Sequence, residues 1–112
     1  MPLPFFNHNG DLPPGIYRAT LSATLNRFGS GSLQRRLIAK RLERIYRLAL
    51  STGHLFRFVV FGSFITAKQE PNDVDVFMLM EDSFYLSKYT GEVRLLFFDH
   101  AGAQARFGAS VF

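Results

Sequence analysis

The chain of 112 residues is 47% hydrophobic and 20% charged, with a formal net charge of +4, a balance that excludes a disordered tail and is expected of one folded domain. It contains no cysteine, which excludes a disulfide framework and thiolate metal sites and fits a cytoplasmic protein. The opening MPLPFFNHNG does not read as a signal peptide, and no apolar run approaches the ~18 residues that a membrane helix needs, so no membrane partner is expected.

Residues 1–20 hold four of the five prolines, including Pro13 and Pro14, and read as an extended N-terminal arm with Leu3, Phe5, Phe6 and Leu12 as anchor points. The folded domain is expected over 21–112. Thr20 is placed to cap a short helix running to Phe28, which Gly29-Ser30-Gly31 ends. Ser32 is placed to cap a second helix, ending near Ser51-Thr52-Gly53. Its residues Leu33, Leu37, Ile38, Leu42, Ile45, Leu48 and Ala49 recur at helical spacing. Its other side carries Arg35, Arg36, Lys40, Arg41, Arg44 and Arg47 against a single Glu43. Such a cluster can attract RNA or phosphate, though a solvated helix face is the plainer reading.

LFRFVVF, Leu55 to Phe61, is β-branched and aromatic and reads as a buried strand stopped by Gly62-Ser63. A turn at Glu70-Pro71-Asn72 leads into a second strand, Asp73 to Met80. EDSFYLSKYTG reads as a loop or short helix. GEVRLLFFDHAGAQARFG reads as a helix closed by Gly108. ASVF, Ala109 to Phe112, begins a third, central strand that is short against the usual five or six residues.

Asp73 and Asp75 carry the most pointed chemical signal. Residues i and i+2 of a strand share a face, so the two carboxylates project together while Val74 and Val76 enter the core. Aspartate is depleted in strands, and two so close repel unless something compensates them. A divalent cation does so most simply, and hard oxygen ligands favour Mg2+ or Mn2+ over zinc. At the end of the preceding strand, Gly62 lets backbone approach a ligand and Ser63 offers a hydroxyl and an amide. With FITAKQE as a following helical turn this reads as a phosphate cradle, with Lys68 within its reach.

The order of apolar strand, Gly62-Ser63, a gap from Phe64 to Asn72, and Asp73-Val74-Asp75-Val76 resembles the signature of the nucleotidyltransferase superfamily typified by DNA polymerase beta, particularly its small stand-alone bacterial members. LPPGIYRAT, GSFITAKQEPNDVDV and QARFGASVF also resemble an uncharacterised bacterial family placed in that superfamily. The resemblance implies an α/β (α+β) fold, with a small mixed sheet, helices packed on one face and a third core strand cut short at Phe112. It implies that Gly62 and Ser63 bind the phosphates of a nucleoside triphosphate such as ATP, and that Asp73 and Asp75 hold Mg2+. The product would be a nucleoside monophosphate transferred to a hydroxyl on protein, RNA or a small molecule. A partner protein, as in toxin–antitoxin pairs, or a homo-oligomer is implied in the same way. In the superfamily a third carboxylate starts the next strand, where this chain has Ser110. Asp99, on the preceding helix, is the nearest other acid. The departure favours an alternative, a catalytically degenerate module that binds nucleotide or a partner.

The remaining polar residues read more plainly. His100 adjoins Asp99, but neighbouring helix residues diverge by ~100°, and His8 and His54 have no partner at ligand spacing. Arg94 and Arg106 are read as packing or solvated residues rather than triphosphate ligands. Phe5, Phe6 and Phe112 are the aromatic residues expected to cover an interface.

Overall fold

The computed structural model describes residues 3–85, 88, 90–98 and 107–112. Its elements in order are helices α1 (Leu21–Phe28) and α2 (Leu33–Ser51), strands β1 (Leu55–Phe61) and β2 (Val74–Met80), helix α3 (Gly91–Phe98) and strand β3 (Ala109–Val111). Among the described residues no helix is long and apolar enough to cross a membrane.

Both N-caps form as the sequence predicts. Thr20 Oγ1 accepts from the Ala23 amide at 3.0 Å, and Ser32 Oγ accepts from the Arg35 amide at 3.1 Å, each satisfying a donor that the helix leaves open. The buried stripe of α2 is Arg35, Ile38, Leu42, Ile45 and Ala49, a spacing that stays on one side of the helix. Leu33 and Leu37, expected on that stripe, are exposed instead. They lie a residue or two off the line that meets the sheet, and Arg35 takes the place facing the core.

The sheet has the order β1-β2-β3. β1 pairs antiparallel with β2, Phe61 opposite Asp75 and Val59 opposite Phe77, with a register slip between Leu55 and Arg57. β3 pairs parallel with β2, Asp75 opposite Ser110, and Phe112 continues the ladder by donating to the Val76 carbonyl at 2.9 Å. The result is a small mixed α+β architecture.

One face of this sheet is covered. Val74, Val76 and Met78 from β2 and Ala109 and Val111 from β3 form a single core with Phe28, Ile38, Leu42, Ile45, Ala49, Phe64, Leu96 and Phe107. The other face carries Asp75, Phe77 and Leu79 of β2 with Phe61 and Phe112 beside them, and all four apolar side chains are exposed. Two expectations are corrected here. β1 is a half-open strand rather than a buried one, because only one of its faces meets helices and Phe56 and Phe61 stand in solvent. β3 lies at the edge of the sheet rather than at its centre, since β2 occupies the middle position.

The arm is packed down. Leu3, Phe6 and Leu12 rest on the core, Arg27 donates to the Pro4 carbonyl at 2.9 Å, and the Phe6 and Phe28 rings lie 6.2 Å apart. Phe6 is therefore an internal contact rather than an interface residue, whereas Phe5 is exposed.

Candidate functional site

Gly62 explains itself through Asp75. Its φ is +84° and its ψ −164°, an essentially glycine-only region that costs other residues ~1–3 kcal/mol. A Cβ there would collide with Asp75 Oδ2 and lie 3.0 Å from its Cγ. The glycine is needed because the turn at the end of β1 presses directly on the carboxylate of β2. Gly62-Ser63 and the Asp73/Asp75 pair, kept apart by the gap in sequence, thus form one place at one end of the sheet.

The acids behave as a pair. Val74 and Val76 are fully buried, while Asp73 and Asp75 are half-buried on the open face. Burial first, and then the neighbouring Asp73 charge, push the Asp75 carboxyl above the usual aspartate range, since both penalise the ionised form. Ser110 stands in the register position beside Asp75. Its hydroxyl donates to Asp73 Oδ2 at 3.1 Å, and its presence beside Asp75 partly offsets the rise there. Ser110 therefore places a hydroxyl donor beside the two aspartates. Among the described residues no third acid or histidine joins the two aspartates in a metal-ligand cluster. Asp99, with His100 and Arg106, lies outside the described residues.

The segment after Ser63 makes the helical turn expected of FITAKQE only as far as Ile65. It forms a single 3-10 turn, Ser63–Ile65. The carbonyls that a helix would spend on its own ladder are drawn elsewhere. Arg35 Nη1 donates to the carbonyls of Phe28 at 3.0 Å and Phe64 at 2.8 Å. Its Nη2 donates to Thr66 at 2.7 Å and also to Lys68. Lys68 itself is exposed, its backbone held on both sides by Arg35 and by the Thr66 hydroxyl, which accepts from its amide at 3.1 Å. The amide of Ala67 is tied to the arm through the Gly10 carbonyl at 2.8 Å.

Arg35 thus leaves the basic patch to which its sequence neighbours assign it. It is only 8% exposed, and burial pushes its pKa down, with Glu70 partly opposing. The signal was present: Arg35 falls on the same stripe as Ile38, Leu42, Ile45 and Ala49. Of the other basic residues of α2, Arg36, Lys40, Arg44 and Arg47 are exposed. Arg44 pairs with Glu92 and Arg47 with Glu43, and Arg41 lies against Gly108. Lys40, Glu43, Arg44, Arg47 and Leu48 line a shallow groove of about 450 Å³, none of which belongs to the carboxylate site. His54 packs near Phe84 and shares a 2.8 Å hydrogen bond with Ser83 Oγ, remote from the acids in the sequence and in its contacts.

No curated protein and no solved structure matches the chain. Residues 4–112 match a family of unknown function, DUF6932. That span takes in the arm, the Gly62-Ser63 turn, both aspartates and Ser110, and the chain belongs to this family.

Proposed function

We propose that this chain is a Mg-dependent nucleotidyltransferase of the DNA polymerase beta-like superfamily, moving a nucleoside monophosphate from a triphosphate such as ATP to a hydroxyl acceptor. The observation that carries the reading is the abutment of Gly62 on the Asp75 carboxylate. A phosphate-sized anion at Gly62 and Ser63 would lie beside the carboxylate pair, and only a cation shared between them makes that juxtaposition favourable. The donor set suits Mg2+ or Mn2+: two carboxylates, a hydroxyl and no nitrogen or sulfur. Asp73 and Asp75 would hold the ion, which when bound supplies charge neutralisation at the phosphates.

The chain's own groups divide the remaining work. Gly62 and Ser63 bind phosphate oxygens through amides and the Ser63 hydroxyl. Asp73, held by Ser110, and Asp75 orient their oxygens toward the same space. Exposed Phe61, opposite Asp75 in the register, and exposed Phe77 and Phe112 lie on the same face of the sheet. A serine hydroxyl cannot take a proton from an acceptor at neutral pH as a carboxylate can. Ser110 therefore favours a second reading, a module that keeps nucleotide binding and has lost transfer.

Calorimetric titration with each nucleoside triphosphate, with and without Mg2+, tests the proposal. Wild type is expected to bind in a Mg2+-dependent manner. Asp73→Asn combined with Asp75→Asn is expected to stay folded and lose that binding. A folded wild type that binds no triphosphate refutes both readings. Binding without label transfer to any protein, RNA or small hydroxyl acceptor selects the second.

A further inference from the structure

The first turn of α2 grips the whole connection between β1 and β2. Arg35 gathers the carbonyls of Phe64, Thr66 and Lys68. One residue earlier, Gln34 Nε2 donates to the carbonyls of Pro71 at 3.0 Å and Asn72 at 3.3 Å, directly before Asp73. Pro71 is fully buried. Two adjacent helix residues thus determine the path of the chain from the Gly62-Ser63 turn to the carboxylate pair.

Arg35 makes this arrangement unlike an ordinary buried ion pair. Among the described residues no carboxylate forms a salt bridge with it. Its hydrogen bonds go to backbone oxygens, from the end of α1 and from the loop, while the Glu70 charge acts on it without forming a salt bridge. A planar guanidinium offers its donors in a fixed fork, so all four carbonyls must be in place together. Trans peptides place each N–H opposite the preceding carbonyl. Turning the carbonyls of Phe64 and Thr66 toward Arg35 therefore sends the next amides away from it, Ile65 to the Gly62 carbonyl at 3.3 Å and Ala67 to the Gly10 carbonyl. The Ile65 bond closes the turn on Gly62, the residue pressed against Asp75.

We infer that Arg35 is the positioning residue of this site: it holds the 62–68 turn in the shape that keeps Gly62 and Ser63 facing Asp73 and Asp75, and so sets triphosphate affinity without touching the ligand. This role rests on the nucleotidyltransferase reading above. Misplacing a binding group by an ångström or less costs about ten- to a hundredfold, which is the loss expected when the fork is removed.

Arg35→Lys and Arg35→Ala, compared with wild type, provide the test. Arg35→Lys keeps the charge and the stem but cannot span four carbonyls. Amide hydrogen exchange without nucleotide is expected to show β2 protected in both variants and Ile65 to Lys68 exchanging much faster than in wild type. Mg-ATP titration is expected to show affinity weakened about ten- to a hundredfold, with millimolar guanidinium restoring affinity in Arg35→Ala and changing nothing in wild type. Unchanged loop protection in a folded Arg35→Lys overturns the role. So does a loosened loop with wild-type Mg-ATP affinity. If Arg35→Ala does not fold, Arg35→Lys carries the test. Rapid exchange at Ile65 to Lys68 in wild type also overturns it without any variant. A wild type that binds no Mg-ATP brings down the proposed function itself, an outcome distinct from wild type and variant binding alike.

Discussion

Successive residues of β2 serve two different surfaces. Val74, Val76 and Met78 enter a core closed by three helices. Asp75, Phe77 and Leu79 look out from the opposite face, where Phe77 and Leu79 are exposed and Asp75 is half-buried under the Gly62 turn. The alternation is dictated by the two-residue period of a strand. The use made of it is not, because a sheet with helices on one side assigns stability to one set of residues and leaves the other free for chemistry. Asp75, Val76 and Phe77 are therefore neighbours in the chain with three different physical roles.

Substitutions at these three positions sharpen that contrast. Val76 is 0% exposed, and Val76→Ala removes two buried carbons and leaves a void, so unfolding in urea should show a loss of about 2–3 kcal/mol. Asp75→Asn should act in the opposite direction. The folded state raises the Asp75 carboxyl through burial and the Asp73 charge, so between the ordinary aspartate range and that raised value the folded protein holds a proton that the unfolded chain has released. Stability therefore falls as pH rises through that window, and the deficit is fully present above it. In metal-free buffer at neutral pH, Asp75→Asn should raise Tm, since it removes the penalty for ionising this carboxyl in the folded state. The gain should vanish in acid below the ordinary aspartate range, and a gain that persists there would rule out ionisation as its cause. Phe77, 42% exposed, should matter least: Phe77→Thr is expected to change stability by no more than ~0.5 kcal/mol by the same urea measurement. A loss as large as that of Val76→Ala would mean that the outer face is covered after all.

Much of the framework was legible because its causes are local. Thr20 and Ser32 are caps by side-chain chemistry alone, the two strands follow from β-branched and aromatic runs, and the shared face of Asp73 and Asp75 follows from their spacing. The tight contact of Gly62 with Asp75 was legible as a need for glycine, though not its partner, since the contact spans a turn. What escaped was decided by tertiary neighbours. Whether Phe56 and Phe61 are buried depends on which side the helices choose. Arg35 reads as surface charge until the carbonyls of Phe28, Phe64, Thr66 and Lys68 surround it, and those come from two distant segments. That the helical turn after Gly62 stops at Ile65 follows from the same competition for carbonyls.

The register slip between Leu55 and Arg57 bears on what the outer edge of β1 can pair with. β1 has a strand partner on one side only among the described residues, and LFRFVVF without its arginine would be an uninterrupted apolar β-forming run, the composition that nucleates cross-β stacking. A bulge twists the outer edge away from a flat template, and an exposed Arg57 adds a desolvation cost to any strand that docks there. Irregularity at the start of this strand thus makes its outer edge a poorer template for strand addition.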